Sequence, residues 1–410
     1  MNRRQFLKVG GLTLFALAGG GPFWGSFGEG GAPRFLPRAA RAAAGRGRVW
    51  VVLFLRGGLD GLHAVFPYEE DEYYRRRPRL SVPRPGRDGG GLALDGQFAL
   101  HPAMAALMPL YREGSLAMVH AVGTPDASRS HFEAQDYLEL GGKPATRQGW
   151  LNRYLQCTEA PPEAPRGLSA SRAVPTLLQG PATVASLPSP IQADLPAAAD
   201  LYAAAPDPEL RRTSHALGLS QRWLERLDPA TYRPAVDYPE SGLGEQLRLI
   251  ASLLKAGIPL EAIYAEMQGF DTHARQVDGL WPGASYGLNG LLTDLAEGLA
   301  AFWRDLGPVG EDMVLITLTE FGRRLAENGS LGTDHGRASC CFLLGGPVQG
   351  GKVFGHWPGL RPENLFEGID LPVTTDYRDL LMEIAGTLGC PEPETLFPGY
   401  RAGPVPGICG

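Results

Sequence analysis

Cysteine is scarce and poorly spaced for chemistry. Five occur in 410 residues, at positions 157, 340, 341, 390 and 409, with no C-x-x-C pair, so the chain lacks the usual thiolate zinc and redox motifs. Past residue 44 no run of about twenty apolar residues exists, which leaves nothing long enough for a membrane-spanning helix there. No internal repeat is present. No G-x-G-x-x-G follows an apolar run, and GGLDGL at 57–62 lacks that spacing, which argues against a nucleotide-binding oxidoreductase. Charge is modest, at 20% of residues beside 44% hydrophobic, a balance that fits a globular enzyme and neither a disordered chain nor a coiled coil. The 55 Gly and 36 Pro make much of the chain loop.

The N-terminus has the marks of an export signal. Arg3 and Arg4 precede Phe6-Leu7-Lys8, a moderately apolar stretch at 9–27 is broken by glycines and Pro22, and Ala42, Ala43 and Ala44 form a small-residue cleavage site. This resembles a twin-arginine signal. It implies passage through the Tat translocase, cleavage near Ala44, a periplasmic or extracellular destination, and no stable membrane insertion after cleavage. Retention as an uncleaved anchor is the alternative. Removing residues 1–44 takes away six basic side chains and one acid, five net positive charges, and moves the net charge from −6 to −11. So acidic a chain is a poor partner for nucleic acid, and an anionic substrate would need local positive charge from metals or arginines. Twin-arginine substrates cross already folded, so an obligatory disulfide framework is not expected. Cys340 and Cys341, in an apolar run, read as buried small hydrophobes, and Cys390 with Cys409 is the pair open to oxidation after export.

Apolar runs at 48–55, 115–122, 262–267, 313–318 and 338–345 read as strands. Amphipathic spacing predicts helices at 101–114, 242–256, 287–306 and 377–388, an alternation that builds an α/β fold with a mostly parallel sheet. Residues 67–97 read as loop, with the arginines of the Tyr73–Arg77 run either a dock for an anionic substrate or, more commonly, a solvated face. Residues 161–239, rich in Pro and Ala, with a strand-like 174–179 and a helix at about 208–227 containing a structural His215, read as an insertion or cap over one domain spanning 45–410.

Ligands of such sheets gather beyond the carboxyl ends of the strands, and the polar residues concentrate there. RGGLDGLH (56–63) puts Asp60 between glycines, either as a helix cap or as an ion ligand. GFDTH offers Asp271 and His273, and the stretch after the 313–318 strand offers Glu320, Asp334 and His335, with Gly332 and Gly336 giving the backbone room to turn. Hard oxygen beside neutral imidazole suits a divalent ion such as zinc, manganese or calcium. His356, in a Gly-rich loop, is either a hydrogen-bonding loop residue or a ligand. In 123–136, Ser130 and Glu133 have the spacing of a capping box, predicting a helix to about Leu140. Ser128 and Ser130 would then lie in the positive field of its N-terminus, where a nucleophile for phosphoryl or sulfuryl transfer belongs, beside Arg129 and His131.

Taken together, the twin-arginine start, RGGLDGL, SRSHFEAQDY, GFDTH, EFGRRLAENGSLGTDHG and GGKVFGHWPGL resemble the family called domain of unknown function 1501, grouped with the alkaline phosphatase superfamily. The resemblance covers nearly the whole mature chain. It implies a three-layer α/β/α sandwich with two metal ions, one held by Asp60, Asp334 and His335, the other by Asp271 and His273, with His356 completing the set and no organic cofactor. Glu320 stands where the superfamily's Asp-His pair usually lies and joins the candidate ligands. Arg56, Arg129 or Arg337 would bind the free ester oxygens, and Ser128, Ser130 or water would attack. The chain has no Cys-x-Pro-x-Arg, which argues against a formylglycine sulfatase. The leading expectation is an exported metal-dependent hydrolase or transferase of phosphate or sulfate esters, its substrate a small-molecule or glycan anionic ester. The alternative is a non-catalytic envelope protein that keeps the fold for binding or structure.

Overall fold

A computed structural model describes residues 48–157, 165–171, 173–187, 218, 232–278, 287–404 and 407–410. The export signal, most of the Pro/Ala-rich segment, the 208–227 helix apart from residue 218, and His215 lie outside the described residues.

Strand β1 (Val49–Leu55) is apolar throughout and buried throughout, because both of its faces are covered. Trp50, Val52 and Phe54 pack into one core with Trp150, Tyr154, Tyr377 and Leu380. Val51, Leu53 and Leu55 pack into another with Leu247, Ile250, Leu295 and Leu299. The remaining strands are β2 (Val65–Pro67), β3 (Leu92–Ala93), β4 (Phe98–Leu100), β5 (Leu116–Gly123), β6 (Gly167–Ser169), β7 (Val184–Ser186), β8 (Ala262–Met267), β9 (Met313–Leu318), β10 (Ser339–Gly345), β11 (Val353–Phe354) and β12 (Thr375–Asp376). Helices of eight residues or more among the described residues are α1 (His131–Leu140), α2 (Trp150–Cys157), α3 (Gly242–Lys255), α4 (Leu288–Leu306) and α5 (Tyr377–Thr387).

The main sheet runs β11-β5-β10-β9-β1-β8-β6-β7, with β12 also on β5. β10 is antiparallel to β5 and β9, and the other pairings are parallel. The carboxyl ends of β1, β8, β9 and β5 therefore open toward one edge. β2, β3 and β4 form a small separate sheet. No helix among the described residues is long and apolar enough to cross a membrane.

Several expectations are corrected. Residues 165–187 extend the main sheet as β6 and β7, and the expected strand at 174–179 is a 3-10 turn, Thr176–Leu178, between them. The helix expected at 101–114 divides into a 3-10 segment, Pro102–Leu107, and a short helix, Met108–Arg112, because Pro109 has no amide hydrogen for a continuous ladder. Residues 67–97 hold a helix, Asp71–Arg76, besides β3, and Tyr73 and Arg77, read as a solvated face, are fully buried. All five cysteines are free thiols. Cys390 is beside Cys157 rather than paired with Cys409, and burial together with that neighbour pushes its thiol up to about 12.

Candidate metal centre

Three loops meet beyond the carboxyl ends of β1, β8 and β9, and close backbone contact holds them there. Gly57 has φ +117°, and a Cβ on it would lie 2.5 Å from the Asp271 amide nitrogen, so only glycine lets the β1 loop touch the β8 loop. A Cβ on Gly332 would collide with the His273 backbone, and the Thr333 amide donates to the Thr272 carbonyl at 3.2 Å. The fully buried Arg323 pins the assembly. Its guanidinium donates to the carbonyls of Gly57, Gly58 (2.8 Å), Phe270 (2.9 Å) and Thr333 (2.9 Å) and to Asp271 Oδ1 at 2.6 Å. The five donors of a guanidinium suit this task, which no lysine could perform.

Three imidazoles close on Asp271. The Nε2 atoms of His335, His273 and His131 lie 3.0, 3.1 and 3.4 Å from Asp271 Oδ1, and those of His273 and His335 are 2.9 Å apart. The ligand atoms of His131, Asp271 and His335 all fall within 4.8 Å of one another, close enough to share one ion, and His273 lies outside that mutually close set. Each ring presents its other nitrogen to an acceptor. His131 Nδ1 is 2.8 Å from Glu320 Oε1, His335 Nδ1 is 2.8 Å from the Arg129 carbonyl, and His273 Nδ1 is 3.3 Å from Asp334 Oδ1. A neutral ring that donates from Nδ1 to that acceptor turns an Nε2 lone pair into the cluster. His131 Nε2 is buried and has no hydrogen-bond partner.

The electrostatics agree. Burial would raise the Asp271 carboxyl, but His335 and Arg323 hold it well below the ordinary carboxylate range. The hydrogen bond to Glu320, opposed by partial burial, raises His131. Glu320 is lowered despite its burial by His131 and Gln135, and Asp334 is lowered first by its hydrogen bond from Asn328.

The structure brings Asp271, His273 and His335 together, and adds His131 at the first position of α1. Other candidates go elsewhere. Asp60 is fully buried, with Oδ1 taken by Arg77 Nη2 (3.0 Å) and Oδ2 by Arg77 Nη1 (2.7 Å) and Gln276 (2.8 Å). The second ligand group expected around Asp60 is therefore not assembled. Glu320 Oε1 accepts from His131, the Gly57 amide and Gln135, and Asp334 accepts from Asn328 and faces His273, so both orient imidazoles. His356 is exposed, and its carbonyl accepts from Thr374. Arg56 is committed to Glu266, Gln135, Glu139 and Tyr264. Arg129 pairs with Asp370 and Glu367, and Arg337 donates to the carbonyls of Thr124 and Pro125. α1 begins after Ser130 and ends at Leu140 as expected, yet no capping box forms. Ser130 makes no side-chain cap, and Ser128 Oγ donates to Glu133 at 2.6 Å.

Sequence reasoning missed His131 as a fourth member and Arg323 as the organiser. The signal for His131 was its place at the head of a helix following β5. Arg323, one of two adjacent arginines, had none.

No curated protein matches the chain. Among solved structures, the crystal structure of PsFucS1 sulfatase from Pseudoalteromonas sp. aligns at 13% identity with a TM-score of 0.32, covering 77% of this chain and 66% of that one. The chain thus spans just under two thirds of that protein's length, and a likeness so low carries no argument about activity. The model of the protein-of-unknown-function family DUF1501 matches residues 48–388, and the chain belongs to that family.

Proposed function

We propose that the chain is an exported metal-dependent hydrolase or transferase of phosphate or sulfate esters on a three-layer α/β/α frame. The observation that supports it is the convergence of three Nε2 lone pairs on the Asp271 carboxylate, two of them 2.9 Å apart. With both ring protons on Nδ1, lone pairs at that distance repel, and a cation between them removes the repulsion. Two imidazoles and one carboxylate, His131, His335 and Asp271, with His273 beside them, suit zinc or manganese and one ion, whereas calcium takes six to eight oxygens. A divalent cation held there supplies Lewis acidity and charge neutralisation.

The chain's own residues do the rest. Glu320, the Arg129 carbonyl and Asp334 fix the rings, and Arg323 fixes the carboxylate. Ser130, between Arg129 and His131 and with no cap hydrogen bond, is the candidate nucleophile. Ser128 is engaged by Glu133. Elemental analysis of the purified full chain should find about one zinc-like ion, lost in His335→Ala. Hydrolysis of p-nitrophenyl phosphate or sulfate should vanish with it. Unchanged metal content in that variant would sink the assignment. The commitment of Arg56 and Ser128 to internal partners favours the second reading, a non-catalytic envelope protein. That reading gains if Ser130→Ala leaves all ester hydrolysis unchanged.

A further inference from the structure

Arg56 reaches the imidazole cluster through two intervening side chains. Its Nη1 donates to Gln135 Oε1 at 2.8 Å, and Gln135 Nε2 donates to Glu320 Oε1 at 2.9 Å. That same Glu320 oxygen lies 2.8 Å from His131 Nδ1. His131 and Gln135 are four residues apart on α1, so one face of the helix carries both to a single carboxylate oxygen.

The chemistry of the donors fixes the direction of every bond on this path. A guanidinium has no acceptor, so the oxygen of the Gln135 amide faces Arg56 and its NH2 group is left for Glu320. Glu320 Oε1 also accepts from the Gly57 amide at 2.9 Å, next to Arg56 in the chain. An ionised carboxylate only accepts, and a neutral His131 meets it with an Nδ1 proton. The buried Nε2 of that ring, which has no hydrogen-bond partner, then turns its lone pair toward Asp271 Oδ1 at 3.4 Å. Arg56 is itself anchored at the far end. Its Nε donates to Glu266 at 2.6 Å, and its Nη2 to Tyr264 Oη at 2.8 Å and Glu139 at 3.1 Å. Tyr264 and Glu266 are two apart on β8 and so share one face of the sheet.

We infer that Arg56 and Gln135 are positioning residues of the metal centre, holding Glu320 and through it the ring orientation and tautomer of His131. This rests on the reading of the centre above. It gives the internal commitment of Arg56 a purpose, because residues that orient a ligand from behind are worth about ten- to a hundredfold in metal affinity.

The test uses the full chain with 15N-labelled histidine at alkaline pH. It pairs zinc affinity, from chelator competition, with the ring-nitrogen shifts of His131 in the metal-free chain, assigned by their absence in His131→Ala. Gln135→Met keeps the length of the side chain and removes both hydrogen bonds. It should weaken zinc about tenfold and turn one Nδ1-protonated His131 signal into a mixture of tautomers. Arg56→Gln should weaken zinc in the native background and add nothing in the Gln135→Met background, since both act on one path. Should Arg56→Gln fail to fold, Gln135→Met decides by itself. With zinc bound by the native chain, an affinity unchanged in Gln135→Met would overturn the positioning role and leave the centre standing, as would fully additive effects of the two substitutions. A His131 tautomer unchanged in Gln135→Met would also overturn it. If the native chain binds no zinc but the His131 tautomer still follows Gln135, the path to His131 stands and the reading of the centre fails.

Discussion

The loops after β1 and β8 look alike in sequence, each with an aspartate two residues after a glycine, and the strands are hydrogen-bonded neighbours. Their carboxylates have opposite fates. Asp60 is fully buried, and the guanidinium of Arg77 satisfies both its oxygens. Asp271 keeps a side chain 46% exposed and receives three imidazole nitrogens besides Arg323. A carboxylate matched by one internal cation is structural. One ringed by three imidazole nitrogens has the donor set of the proposed cation site. Gln276 joins the two regions, donating to Asp60 at 2.8 Å and accepting from Thr272 (3.0 Å) and Thr333 (2.7 Å), next to Asp271 and Asp334 in sequence.

The largest effect expected from this contrast is at Asp60. Arg77→Ala leaves a buried charge unpaired and should cost about 3–5 kcal/mol in urea unfolding, whereas replacing both partners with leucine should cost far less. Burial alone would raise the Asp60 carboxyl, but Arg77 outweighs it and the folded value is lowered. Its stabilisation is therefore present above the unfolded value of about 3.9 and is lost as pH falls below that. Asp60→Asn should flatten this acid limb. Equal stability of wild type and Arg77→Ala would break the comparison.

Next comes the response to zinc. At a hundredfold excess over the dissociation constant, zinc should stabilise the native chain by about 2.7 kcal/mol, seen as a raised Tm. His131→Ala should lose most of that rise while keeping nearly the metal-free Tm of wild type, since His131 is partly exposed. A zinc response undiminished in this variant would remove His131 from the centre.

The smallest effect is expected at the strut. Gln276→Ala should cost about 1–3 kcal/mol, because Asp60, Thr272 and Thr333 lose a buried partner, and should also weaken zinc binding as the two loops loosen. Lost stability with unchanged zinc affinity would separate the regions that Gln276 joins in the hydrogen-bond network.

The strands β1, β5, β8, β9 and β10 and the helices α3, α4 and α5 were legible because burial on two faces, or on one stripe, writes itself into apolar periodicity. β6 and β7 were not, since strands of three residues carry too few positions to show a period. The Tyr73–Arg77 run misled for a related reason: polar side chains read as solvated unless a distant partner is known, and Arg77 finds Asp60 and the carbonyls of Leu325 and Arg324.

By itself the sequence determined the chemistry on offer, namely imidazole and carboxylate at the ends of apolar strands with glycines that let those loops close. Only the tertiary structure decided which of them meet. It sent Asp60 to Arg77, turned Glu320 and Asp334 toward imidazole Nδ1 atoms, and brought His131 across from the head of α1. The physical reason is that a ligand set is defined by distances between residues far apart in the chain. Strand order, set by how the apolar faces pack, fixes those distances, and local sequence pattern does not encode them.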